Sequence, residues 1–299
     1  MTIDIAPGED STAAAAQNTA PASEPVVRYD EPVDAVPGPA PAETAQFVYA
    51  IGRIEARFPS LGVEKEFAQA TGRADSAGLT DRETAQAVLS DPANRYLARQ
   101  LCWVLTIEGI DTYILIPHDA PDLDLLIDAI RPAPSPLDID VVIGTLGPLA
   151  APDVCNGLVA PMVAFDQIYS FDTEGFLAAI PRPEGVAAKE FKQASEDIFR
   201  RICQIADNSG ATDEHRALNY LTVRYPKIYE RAAEQFAGSS SLTAVEVIPS
   251  RLSGVRRIVN AVFTYTERSS GVQEKFAVKV DVTEEFPFLV APLSPFYDR

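Results

Sequence analysis

Asp213, Glu214, His215 and Arg216 set two carboxylates, an imidazole and a guanidinium side by side, with Tyr220 four residues beyond Arg216. General acid–base catalysis uses such groups: an imidazole that titrates near neutrality, a carboxylate to orient it and a cation to hold an anion. The same residues also suit the opening of a helix. Thr212 is a good N-cap, and acidic side chains in a first turn meet exposed amides and the positive end of the helix dipole. Residues adjacent along a helix point in different directions, so adjacency in sequence is not a dyad in space. The spacing therefore predicts a helix start, with Ala217, Leu218 and Leu221 facing the core. The functional reading that remains is a polar edge, Asp213, Glu214, His215, Arg216 and Tyr220, that holds a peptide or partner.

The remaining candidates are weaker. His118 follows Pro117 with Asp119 beside it, and no partner for catalysis is identifiable. Arg53, Arg57, Glu64 and Glu66 gather around the Pro-Ser turn of "RFPSLGVEKEF", which reads as a turn into a salt-bridged helix or as a binding edge. On the second reading Arg53, Arg57 and Glu64 are the binding residues. Asp122/Asp124 and Asp138/Asp140 have DxD spacing, but the first pair falls in a helix, where carboxylates two apart diverge, and the second enters a strand. No GxGxxG, Walker A or GxSxG pattern is present, so no cofactor is expected, and Ser195 sits mid-helix, a poor place for a nucleophile. Three cysteines, Cys102, Cys155 and Cys203, lack CxxC spacing. Their odd number argues against a disulfide framework, and Cys102 and Cys203 read as small buried hydrophobes. With His215 they form a Cys3His zinc set only if the fold brings them together.

Charge narrows the partners. The chain carries 43 acidic against 25 basic residues, a net −18, which repels phosphate backbones and argues against nucleic acid. Arg251, Arg256 and Arg257 make one local basic patch that suits an acidic peptide segment. No apolar run is long enough for a membrane span, and no basic start leads into an apolar stretch, so the expected location is the cytoplasm. Residues 1–44 hold seven prolines, ten alanines, eight acidic residues and a single arginine, a net charge of −7. Such a segment buries too little apolar surface to offset its chain entropy and reads as a disordered tail.

From Phe47 onward the texture is that of a packed fold. Thr80 and Glu83 have capping-box spacing, and Asp91-Pro92 marks a second helix start. "WVLTIEGIDTYILIP" reads as a hairpin turning at Glu108-Gly109, with Trp103, Leu105 and Ile107 on one face. "DLDLLIDAI" is a short amphipathic helix; "DIDVVIG" and "MVAFDQIYSF" are strands. Pro181, Pro183 and Gly185 mark an interior boundary. Beyond it, Phe191, Ala194, Ile198, Ile202 and Ile205 recur at helical spacing, two further helices start near Thr212 and Pro226, and strands follow. "LTAVEVIP", "RRIVNAVFTYTER" and "QEKFAVKVDVT" predict an antiparallel meander. The fold class is α+β: a module over 45–182 and a second over 185–299, each with an antiparallel sheet.

Seven separated segments carry a family resemblance. "YAIGRIEARFPSLGVEKEFAQATGR", "NRYLARQLCWVLTIEG", "DVVIG", "CNGL", "DNSGATDEHRALNYLTVRYPKIY", "LTAVEVIPSRLSG" and "VDVTEEFPFLVAPLSPFYDR" occur in the order found in the C-terminal region of PatG-type cyanobactin maturation proteases. In that family the region follows a subtilisin-like macrocyclase, and a related copy ends the PatA-type protease. The 299 residues hold no Ser-His-Asp set in motif context, so proteolysis and macrocyclisation do not carry over. The resemblance implies a setting, the maturation of ribosomally made modified peptides, and maps no catalytic residue onto this chain. The expectation is a non-catalytic accessory module that binds a precursor peptide or docks a pathway enzyme. Two alternatives stay open: a peptide-modifying enzyme using His215 and its neighbouring carboxylates, and a structural homodimerisation domain.

Overall fold

The computed structural model describes residues 45–72, 80–133, 135, 137–205, 207–250 and 254–297. The tail expected over 1–44 lies outside these residues. Strand β1 (Phe47–Arg57) is followed by α1 (Leu61–Thr71), α2 (Asp81–Ser90), a 3-10 turn over Pro92–Asn94 and α3 (Arg95–Gln100). The hairpin β2 (Cys102–Ile107) and β3 (Ile110–Pro117) comes next. Helix α4 (Asp122–Ala129), strands β4 (Asp138–Leu149) and β5 (Pro161–Asp172), and α5 (Thr173–Ala179) complete the first half.

Local chemistry sets these boundaries. Thr80 accepts from the Glu83 amide while the Glu83 carboxylate accepts from the Thr80 amide, the full capping box. The Asp91 carboxylate accepts from the Ala93 amide, and Pro92 occupies the first position of the turn, where no amide is needed. The hairpin turns at Glu108 and Gly109, both with positive φ.

Strands β1–β5 close into a barrel in the order β1-β2-β3-β5-β4. The sheet expected here was antiparallel, and four of its five pairings are. The fifth, β3 to β5, is parallel, because α4 and β4 intervene and return the chain in the same direction. Alternation along the strands serves two cores. Val48, Trp103, Leu105, Leu115, Val142 and Phe165 cluster with the buried faces of α1–α4. The opposite face of the β2–β3 hairpin, Cys102, Val104 and Ile114, packs under the loop carrying Cys155 and Ala160.

Cys102 and Cys155 are joined by a disulfide, with Cα atoms 5.5 Å apart. This corrects the reading of Cys102 as a free buried hydrophobe and of the odd cysteine count as evidence against a bridge. Pairing needs only that two thiols meet, and the loop after β4, largely exposed but with Cys155 turned inward, supplies the second. Two members of the Cys3His set are thereby consumed. Cys203 is free and lies in a different cluster, against β1 and β4.

The second half runs α6 (Ala188–Cys203), α7 (Asp213–Arg224), α8 (Lys227–Ala237) and a meander β6 (Ser240–Pro249), β7 (Ile258–Glu267), β8 (Gln273–Asp281), β9 (Phe288–Pro295). Phe276, Val278, Val280 and Val282 face the helices, as their alternation predicts. Phe191, Ala194, Ile198 and Ile202 are the α6 residues opposite them. Strand β9 carries Pro292 and Pro295, which hide a strand from sequence inspection and are tolerated here because β9 is an edge.

The two halves meet where α7 crosses β1. Gly210 adopts φ +76°, its carbonyl accepts from the Tyr49 amide at 2.9 Å, and a Cβ there would stand 2.4 Å from the Tyr49 carbonyl oxygen. Asn219, with no exposed surface, donates to the same Tyr49 oxygen at 2.7 Å and exchanges amide hydrogen bonds with Asn208.

Gly210→Ala combines a left-handed backbone with a backbone collision, so it is expected to cost at least about 2–3 kcal/mol in urea unfolding. Gly254→Ala, at φ +59° but in open space, bears the conformational cost alone and is the control. Reduction of Cys102–Cys155, which closes a separation of 53 residues, is expected to lower stability by about 2–4 kcal/mol without changing the strand content seen by circular dichroism.

Candidate functional site

Helix α7 opens as its residues dictate. The Thr212 hydroxyl accepts from the His215 amide at 3.2 Å, and Asp213 and Glu214 occupy the first turn. The geometry then separates the four groups that stand together in sequence. Arg216 is 1% exposed and points inward, where it donates to the carbonyl oxygens of Val282 (2.7 Å), Glu285 (3.1 Å) and Glu284. Its guanidinium lies 5.3 Å from the centre of the Phe47 ring. Burial, and the nearby charge of Arg257, bring its pKa down to about 10, still cationic at neutral pH. Asp213 pairs with Arg257 at 3.0 Å and more distantly with Arg216. The proposed clamp and acid are thus both engaged in holding the Val282–Glu285 turn.

His215 is half-buried, with Nδ1 shut away from water and without a partner, and burial lowers its pKa. No carboxylate lies within ion-pair distance of it among the described residues. Tyr220 stacks edge-on against Tyr49, with ring centres 6.3 Å apart. Arg57 grips Asp111 with both terminal nitrogens, at 2.5 and 2.7 Å, and reaches Glu55 at 2.9 Å. Glu64 is an exposed first-turn residue of α1. The expected binding residues are therefore dispersed over three places. Of the DxD carboxylates the first pair diverges, Asp122 accepting from the amides of His118 and Asp119 while Asp124 pairs with Arg95; the second pair meets at Arg131, with Asp138 at 2.6 Å and Asp140 at 3.8 Å, and Asp140 also accepts from Ile54 and Ser170. Of the basic patch, Arg251 lies outside the described residues, while Arg256 and Arg257 are paired with Asp281 and Asp213.

Two groupings were not apparent in the sequence. The first brings His118 within 3.7 Å of Asp166 on β5, with Glu285 close enough to Asp166 to feel its carboxyl. Burial and the Asp166 carboxyl push Glu285 up to about 7, opposed by Arg216. The second is a groove of about 710 Å³ between the barrel and α5–α6. Its barrel wall is Ile51–Arg53 of β1 and the Glu108-Gly109 tip; its helical wall is a row on α6, Lys192, Glu196, Phe199, Arg200 and Cys203. Of the expected binding residues, only Arg53 lines it; its Nε donates to the Asp138 carbonyl at 3.2 Å. The row is spaced i, i+4, i+7, i+8, i+11, one helical stripe beside the apolar one. That spacing was available in the sequence, but which surface would stand opposite it was not. Cys203 is among the lining residues, its thiol pushed up to about 12 by burial and so not poised as a nucleophile.

The raised Glu285 makes a pH prediction with a definite sign. Its folded pKa lies above the ordinary carboxylate value, so the folded state holds the proton more tightly and stability falls as pH rises from about 4.5 to 7. Glu285→Gln keeps the hydrogen-bonding shape and removes that proton. Urea unfolding across this range is expected to show a shallower downward slope for the variant than for the parent.

The comparisons with known proteins bear on fold and family. Residues 185–296 match the family model described as PatG C-terminal. A solved structure, "PatG Domain of Unknown Function", superposes with a TM-score of 0.66 at 20% identity, covering 84% of this chain and 98% of that one. No curated protein matches the chain. Residues 185–296 are thus similar to the PatG C-terminal family, within a chain that has the fold of a PatG domain of unknown function over most of its length.

Proposed function

We propose that the protein is a non-catalytic accessory module of a PatG-type, cyanobactin-like pathway, and that it binds an extended segment of a precursor peptide in the groove between barrel and α6. The observation that carries this reading is the groove itself. It lies where two halves of a fold meet, a common place for ligands, and it is large enough for several residues of peptide. Leu137, Ile139, Leu177 and Phe199 supply apolar wall, and charged side chains of both signs stand around them. Arg200 is exposed and makes no ion pair among the described residues, which suits an acidic residue of the peptide. Among the described residues the closed barrel has no strand edge to offer, and the prolines of β9 blunt one edge of the meander, leaving β6 as the competing route for strand addition.

The reading as an enzyme centred on His215 draws no support from the geometry, because Asp213 and Arg216 are committed to structural contacts. Among the described residues no helix is long and apolar enough to cross a membrane. A cytoplasmic location belongs to the same proposal. The Cys102–Cys155 bond is uncommon in reducing compartments, and thiol labelling in cells checks that part.

Trp103 is buried among barrel residues and donates to the Ala98 carbonyl, so its emission does not report on the groove. The test uses fluorescein-labelled precursor segments followed by anisotropy, with mass spectrometry of the same mixtures. Saturable binding at unchanged mass, weakened about tenfold by Arg200→Glu, is the expected result. A mass shift abolished by His215→Ala would replace this reading with the enzyme. Binding indifferent to Arg200→Glu would move the peptide to the β6 edge. A dimer in sedimentation that ignores peptide would leave the structural role.

A further inference from the structure

Of the six asparagines in the chain only Asn156 is followed by a glycine, and the pair sits in the loop between β4 and β5. Both residues are exposed and both have positive φ, 47° for Asn156 and 89° for Gly157. A Cβ at Gly157 would meet nothing within 4 Å, so the backbone there stands in open space. The Asn-Gly order sets a side-chain amide carbon beside a backbone nitrogen that no side chain shields. That nitrogen can attack Cγ of Asn156, closing a succinimide and expelling the side-chain nitrogen as ammonia. Water then opens the ring at either carbonyl and leaves aspartate or isoaspartate, with one more negative charge.

The folded loop withholds the attacking group. The Gly157 N–H donates to the Pro152 carbonyl at 2.6 Å, which holds both the proton and the position of that nitrogen. Two further bonds shape the same turn, Val154 N–H to the Ala151 carbonyl at 3.0 Å and Leu158 N–H to the Cys155 carbonyl at 2.9 Å. Cys155, the residue before Asn156, is 4% exposed and is tied to Cys102 at the start of β2. Its neighbours Ala151, Pro152, Asp153, Val154, Asn156 and Gly157 are all exposed, so the bridge is the main attachment of this turn. A segment with so little apolar burial opens locally at small free energy once its tether is lost.

We propose that Asn156 is a site of spontaneous deamidation gated by the Cys102–Cys155 bond: the oxidised loop withholds the Gly157 nitrogen, and reduction releases it. The reductant is a dithiol, which passes two electrons and two protons to the disulfide and is itself oxidised to a disulfide. No electrons reach Asn156, whose conversion exchanges ammonia for water. The two steps differ in reversibility. The thiols pair again on oxidation, whereas the converted side chain does not return to the amide. A molecule once reduced therefore keeps a carboxylate at position 156, in the same exposed loop as Val154 and Val159. Nothing in this chemistry depends on what the groove binds.

The test incubates the intact protein at mildly alkaline pH, oxidised or with dithiothreitol. Peptide mapping by mass spectrometry follows Asn156, and enzymatic methylation of isoaspartate is the second readout. Conversion is expected to run at least about tenfold faster in the reduced protein, the ratio set by the loop's added freedom to open. Cys102→Ser removes the bond without touching the loop's own sequence, and is expected to convert at the fast rate with or without reductant. Asn156→Gln, whose longer side chain cyclises far less readily, is expected to stay unconverted in both conditions. Circular dichroism of the reduced parent, expected to keep its strand content, separates loop opening from unfolding. Equal rates in the oxidised and reduced protein overturn the gate. So does loss of strand content on reduction, since conversion would then report global unfolding. No conversion in the reduced protein, where a free peptide of residues 152–160 converts, overturns the site.

Discussion

The carbonyl of Tyr49 organises the seam on which the rest of the molecule depends. It accepts from Asn219 while Gly210 presses against it, and the Tyr49 amide returns a hydrogen bond to the Gly210 carbonyl. Asn219 is fully buried, so each of its amide bonds replaces water that cannot reach it, and loss of one partner would leave an unsatisfied group costing about 1–3 kcal/mol. Asn208 uses up the remaining capacity by pairing with Asn219 and donating to Ile202 at the end of α6. One strand of the barrel, the last turn of α6 and the middle of α7 are thereby fixed together. Fixing α6 sets the width of the groove, since its helical wall is α6 and its other wall is β1.

A second clamp acts in the first turn of α7. Arg216 satisfies three carbonyl oxygens of the turn before β9, and in doing so it gives up any role in holding a ligand. Removing its charge would strand those carbonyls; a buried cation so engaged is expensive to replace piecemeal. Phe47 beneath it and Asp213 and Arg257 beside it complete a small electrostatic unit that joins the start of β1 to the meander. The same turn carries Glu285 toward Asp166 and His118, so protonation at this junction is coupled to how the barrel and the meander meet. Chemistry of this kind stabilises an interface and needs no substrate.

Much of the local structure was legible in residue order. The Thr80–Glu83 box, the Asp91-Pro92 turn, the Glu108-Gly109 hairpin, the start of α7 at Thr212 and the alternation of β8 each follow from contacts within a few residues, and each occurs where the pattern placed it. Strands β1 and β9 escaped because their signals are confounded: β1 carries Arg53, Glu55 and Arg57 at alternate positions of its second half, and β9 contains two prolines that only an edge can tolerate. Barrel closure also escaped, since the parallel β3–β5 contact joins residues about fifty apart and no local periodicity encodes it.

For the site the division is sharper. The sequence by itself determined that α7 begins with an acidic turn, that α6 carries a charged stripe beside an apolar one, and that the chain is acidic and without a nucleotide or protease motif; these properties depend on spacing along one chain segment. Only the tertiary structure decided that Arg216 turns inward to backbone carbonyls, that Cys102 finds Cys155, that Glu285 settles beside Asp166, and that the α6 stripe faces β1 across a groove. Each of those is a meeting of segments 50 or more residues apart, and which surfaces meet is fixed by how two hydrophobic cores pack rather than by any residue's own preference.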